Sequence, residues 1–190
     1  MTPQQIKKST ETGTLQLHFW DMVTHYLIVI FFAFLPVLFA LMTLYDYVFE
    51  IERYYIEGNI WLYIVPLALS LFFYILQRGR LRFTVVETTL NRAEILSLVE
   101  SISNNQKWDI NRKSKALLIA KTNPPLLKGS WGEQVTLVFS GKKILTNSIC
   151  DPDKISSVAS YGNNKRNIQK IIAGIKRAER VKEYTLYTIP

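Results

Sequence analysis

The chain has 190 residues and a formal charge of +8, from 23 Lys and Arg against 15 Asp and Glu. Two apolar spans and their connection leave room within that length for one compact domain, which excludes a multidomain reading of these residues. The single cysteine, Cys150, excludes an intrachain disulfide and a cysteine-built metal cluster. The basic balance comes without zinc-finger spacing, an RNP-like strand or a helix-turn-helix pattern, so nucleic acid is disfavoured as a partner.

Residues 1–14 are polar and mixed in charge, the composition of a short flexible arm. Leu15, Leu17 and Phe19 then alternate with Gln16, His18 and Trp20, which fits a short strand or a segment lying along lipid headgroups. Trp20 and Tyr26 favour the second, because amphipathic rings collect at that depth. Residues 1–25 are therefore read as an N-terminal interfacial segment. They lack the charged-apolar-small pattern of a cleaved signal, and the apolar run that follows exceeds a signal core, so the segment is expected to be retained.

A transmembrane helical hairpin is predicted over residues 26–77, with spans at about 26–45 and 60–77 that carry no Asp, Glu, Lys or Arg. At about 1.5 Å per residue, twenty residues cross a hydrocarbon core of about 30 Å. Pro36 and Pro66 lie inside the spans, where each removes a backbone donor and favours a kink. The absence of intramembrane charge argues against an autonomous transporter. Lys7 and Lys8 precede the hairpin and Arg78, Arg80 and Arg82 follow it, while the acidic connection holds only Arg53. That bias places both termini in the cytoplasm, at a bacterial inner membrane.

Residues 80–183 are predicted to form an α+β domain with a mainly antiparallel sheet, in the order strand, helix, four strands, helix, and helices on one face. Leu81, Phe83 and Val85 alternate as a strand does; Asn91 and Glu94 form a capping pair before the stripe Ile95, Leu98, Val99 and Ile102. Trp108 and Ile110 begin the next strand, residues 111–114 read as a turn, and residues 116–120 as a third strand. A Pro- and Gly-rich loop covers residues 123–132, two further strands flank a turn at residues 140–143, and Asp151-Pro152-Asp153 ends the last. An amphipathic helix is expected from about 163 to 182, with Ile168, Ile171, Ile172 and Ile175 on one side, and residues 184–190 form a tail.

Chemistry concentrates before that last helix. Ser157, Ser160, Gly162, Asn163, Asn164, Lys165, Arg166 and Lys170 place hydroxyls, a glycine and cations at a helix start, where free amides and the dipole favour an anion such as a phosphate or a phospholipid headgroup. The competing reading is that Ser160 or Asn163 caps the helix while Asp151 and Asp153 close a turn. Leu126, Leu127, Lys128 and Trp131 form a second candidate, a loop that either enters the membrane, clamps a partner or folds back on the sheet. No catalytic constellation is legible: Asp151 and Asp153 are adjacent instead of facing, and both histidines lie far from Cys150 in the chain. No motif implies a cofactor or metal.

The run Ser157-Val158-Ala159-Ser160-Tyr161-Gly162-Asn163-Asn164-Lys165-Arg166-Asn167-Ile168, after two paired strands, resembles the C-terminal signature of a family of small bacterial and plastid domains of unknown function. The resemblance covers at most residues 81–178 and implies a small strand-helix-sheet unit with no assigned activity; it also implies arginine where this chain has Asn167.

The expected function is that of a non-enzymatic integral membrane protein displaying a cytoplasmic domain that binds an anionic ligand, lipid headgroup or protein partner. Membrane lipids are the expected contacts, with self-association through the hairpin or another membrane protein as a further partner. A ligand-gated, membrane-perturbing or pore-forming effector is the alternative, with Pro36 and Pro66 as gating kinks. An enzyme subunit completed by a partner is the third.

Overall fold

A computed structural model describes residues 1–50, 59–123, 131–154, 160 and 162–188. The chain opens with helix α1 (Pro3–Thr12), where a flexible arm was expected. The helix is specified locally. The Thr2 hydroxyl accepts from the Gln5 amide, the Gln5 side chain accepts from the Thr2 amide at 2.7 Å, and Pro3 presets the first turn. Gly13, at φ 64°, ends it in the left-handed region.

The next residues join the domain behind the hairpin. Thr14 bridges Arg82 in antiparallel fashion. The Leu15 amide donates to the Leu81 carbonyl at 2.8 Å and the Phe83 amide to the Gly13 carbonyl at 2.9 Å. Leu15 is buried with Leu81 and Ile149. Only then does α2 (Phe19–His25) present Phe19 and Trp20 outward.

Helices α3 (Leu27–Val48) and α4 (Trp61–Arg80) form an apolar pair, each long and apolar enough to cross a membrane. Their apolar side chains point mostly outward, unlike those of a core helix in a soluble protein. Both helices continue through their prolines, and Pro36 and Pro66 are buried. The pair is held by the Phe32–Phe73 ring stack at 5.5 Å and by the Ser70 hydroxyl, which donates across to the Val29 carbonyl at 3.1 Å.

Beyond the hairpin come β1 (Thr84–Glu87), α5 (Arg92–Gln106), β2 (Trp108–Lys113), β3 (Leu117–Thr122), β4 (Glu133–Ser140), β5 (Lys143–Cys150) and α6 (Asn163–Thr188). The strands form one antiparallel sheet in the order β1-β5-β4-β3-β2. The Asn91–Glu94 capping box starts α5 as expected. Residues 111–113, expected in a turn, belong to β2; a register shift between Ile110 and Arg112 lets that polar run stay paired to β3. Gly141, at φ 59°, supplies the left-handed residue of the tight β4–β5 turn. Helix α6 continues through Tyr184 into the stretch expected as a tail.

Both faces of the sheet are covered. On one, α5 and α6 bring Ile95, Val99, Ile171 and Ile175 onto Leu118, Ala120, Val135, Leu137 and Ile144. On the other, Leu117, Ile119, Val138 and Leu145 lie under Met1, Ile6 and Phe83. The expectation of helices on one face thus misses a third layer, which α1 supplies. The reason is the alternation of a strand: β3 and β4 are apolar on both sides, and a second apolar face needs a second cover.

Candidate functional site

Strand direction sorts the molecule into two ends. β1 runs away from the base of α4, and β5 returns antiparallel to it, so Cys150 comes back to the hairpin. The Asn147 amide locks this return, donating to the Arg80 carbonyl at 2.8 Å and the Arg82 carbonyl at 2.9 Å. By the same alternation the end of β3, the start of β4 and the residues after β5 all lie at the hairpin end. The described ends of both segments singled out by composition, Asn123 and Trp131 of one and Asp151 and the start of α6 of the other, therefore lie beside the hairpin base.

A polar cluster closes that end. Lys121 Nζ lies 2.8 Å from Asp151 Oδ1 and also pairs with Asp153. Burial works against the Lys121 ammonium, but its hydrogen bonds to the two carboxylates and their charge outweigh this and hold its pKa above the ordinary lysine value. The Asp153 amide donates to Asp151 Oδ1 at 3.1 Å, Asp151 N donates to the Gly132 carbonyl at 3.0 Å, and Lys154 donates to Asn123 at 2.8 Å. Gly132 sits at φ 124°, and a Cβ there would meet the Thr122 carbonyl at 2.6 Å, so the close strand approach requires glycine. Asp151 and Asp153 close a turn, as one reading of the sequence had it. Their partner Lys121 was missed; its only sequence signal is a lone charge at the end of an apolar strand.

At the start of α6, the Asn163 amide donates to the Ser160 carbonyl at 2.8 Å, Gly162 turns the chain at φ 79°, and the Arg166 amide donates to the Gly162 carbonyl at 3.0 Å. Asn164 Oδ1 accepts from the Ser148 hydroxyl at 3.1 Å, and the buried Asn167 amide donates to the same hydroxyl at 3.4 Å. Asn164 and Asn167 thus dock the helix on β5, where a longer arginine would not fit the same buried contact. Lys165 and Arg166 are exposed on the first turn. Lys170 reaches Gln106 at the end of α5. Of the loop candidates, Trp131 is 52% exposed at the same end. Ser157, Leu126, Leu127 and Lys128 lie outside the described residues.

Between the hairpin base and this cluster is a cavity of about 10 Å³ lined by Thr24, His25, Gln77, Arg80, Cys150 and Asp151. That is room for about one water. His25 Nε2 is 3.0 Å from the Gln77 carbonyl; a carbonyl only accepts, so Nε2 carries the hydrogen. Burial pushes the His25 pKa below its ordinary value, and Arg80 adds to the effect against the opposing pull of the Gln77 carbonyl. Asp151 is buried, and among the described residues its Oδ2 has no hydrogen-bond partner. The fold therefore brings His25 to one cavity with Cys150 and Asp151, a meeting that their separation in the chain conceals. Among the described residues no group of three His, Cys, Asp or Glu side chains is placed to hold a metal ion.

Comparison with protein-family models, with curated proteins and with solved structures finds no match to this chain.

Proposed function

We propose that this is an integral protein of a bacterial inner membrane, with both termini cytoplasmic, whose α3–α4 hairpin holds the α+β domain against the inner leaflet so that the hairpin end of the sheet meets anionic headgroups. The observation that carries this reading is the gathering of Lys165, Arg166, Trp131 and the hairpin-base arginines Arg78, Arg80 and Arg82 at one end of the molecule. Basic groups close to an anionic surface each contribute about 1 kcal/mol, and exposed aromatic rings favour the interface. Phe19 and Trp20 on α2, just before the first span, add to the same belt. Burial of Pro36 and Pro66 favours a packing role over the gating one that a membrane-perturbing effector requires.

The test is hydrogen exchange on the full chain in nanodiscs of phosphatidylcholine alone or mixed with phosphatidylglycerol. Amides at residues 131–132 and 162–166 are expected to exchange more slowly with the anionic lipid, and the K165Q/R166Q variant is expected to lose the difference. Equal exchange in both lipids would refute headgroup binding.

A further inference from the structure

The opposite end of the sheet, away from the hairpin, carries a groove of about 420 Å³ that the membrane reading leaves unused. Its size falls within the range of about 300–1,000 Å³ typical of small-molecule sites. Leu90 and Ile144 are buried in its floor, and Phe139 lines it beside them. Its rim holds three cations from three separate elements: Arg92 from the first turn of α5, Lys115 from the β2–β3 turn and Lys142 from the β4–β5 turn. Among the described residues no carboxylate lines it.

The cations are not equivalent. The Arg92 guanidinium lies 5.6 Å from the Phe139 ring centroid and donates to the Ser114 carbonyl at 2.5 Å, so it is held in position before any ligand arrives. Neighbouring lysines are neutralised, Lys113 by Glu100, Lys143 by Glu87 and Lys182 by Glu94. Lys115 and Lys142, which face the groove, have no carboxylate partner among the described residues. The acids bonded to lining residues are already engaged: Glu94 accepts from the Asn91 amide and pairs with Lys182, and Glu179 accepts from the Thr88 hydroxyl at 2.7 Å and the Thr89 amide at 2.8 Å, which pins the loop forming one wall.

We propose that this groove binds a small organic anion that combines a flat apolar body with a phosphate or carboxylate group. The body packs against Phe139, with Leu90 and Ile144 closing the groove beneath it, while the charge meets Arg92, Lys115 and Lys142. The site is separate from the lipid-facing end, and its case does not depend on headgroup binding.

The experiment uses the full chain in phosphatidylcholine nanodiscs and follows 4-fluorophenyl phosphate by fluorine NMR, with empty nanodiscs as the blank. Saturable binding is expected, weakened by about tenfold or more in K115Q/K142Q and unchanged in K165Q/R166Q. The proposal is overturned by absence of saturable binding, by equal weakening in both variants, or by inorganic phosphate competing as well as the aryl ester, which would mean exposed charge alone.

Discussion

The Asp151 carboxylate divides its two oxygens between different neighbours. Oδ1 takes the Lys121 ammonium and the Asp153 amide, while Oδ2 is buried with no hydrogen-bond donor among the described residues. A buried acceptor left unpaired costs about 1–3 kcal/mol. His25 meets the opposite demand. Its imidazole is docked on the Gln77 carbonyl in a buried place beside the Arg80 cation, and stacks edge-on against Tyr26 at 5.0 Å, so the neutral ring is the one that fits. A folded-state pKa below the ordinary histidine value means that docking contributes fully above that ordinary value, near 6.5, and loses its contribution as the pH falls through the folded value. The expected outcome is that the thermal midpoint of the full chain drops on acidification in this window, and that His25→Gln, which keeps a donor for Gln77, flattens the dependence. A histidine NMR titration with the His25 midpoint at or above the ordinary value would count against this.

At the level of elements, α1 carries more of the fold than its polar composition declares. Its helix is written into Thr2, Pro3, Gln5 and Gly13, all readable positions. What is not readable is its destination, because one isoleucine and the first methionine make a weak apolar stripe. That stripe matters because β3, β4 and β5 turn Leu117, Ile119, Val138 and Leu145 to the same side, and strands with two apolar faces announced the need for a cover without naming it. Removing residues 1–17 is therefore expected to expose that face and to break the Leu15–Leu81 and Gly13–Phe83 pairing. The truncated chain should bind a hydrophobic dye and aggregate; a monodisperse truncated protein with an unchanged thermal midpoint would show that α1 is dispensable. Boundaries also moved for local reasons, since the bulge at Asn111 hides a strand residue inside a polar run, and α6 keeps its helix beyond the last isoleucine of its stripe.

For the whole molecule, topology decides which residues face which environment. An antiparallel sheet whose first strand follows α4 directly must return β5 to the hairpin, so Trp131, Asp151 and the start of α6 share one end, and the Arg92 groove takes the other. The proposed orientation, with both termini in the cytoplasm, puts Asn59, just before α4, on the outer side. A cysteine introduced at Asn59 in a Cys150→Ser background should react with a membrane-impermeant maleimide in intact cells, and labelling only after lysis would invert the orientation. The amino-acid sequence by itself determined the two apolar helices, the strand-helix-four-strand-helix order, the α5 cap and the Asp151 turn, because periodicity, proline, glycine and capping residues act over a few positions. Tertiary structure alone decided the α1 cover, the Lys121 partnership, the His25–Cys150–Asp151 cavity and the groove between Arg92, Lys115 and Lys142. Each of these joins residues that only strand pairing and layer packing bring together, and no local pattern encodes a contact across that distance.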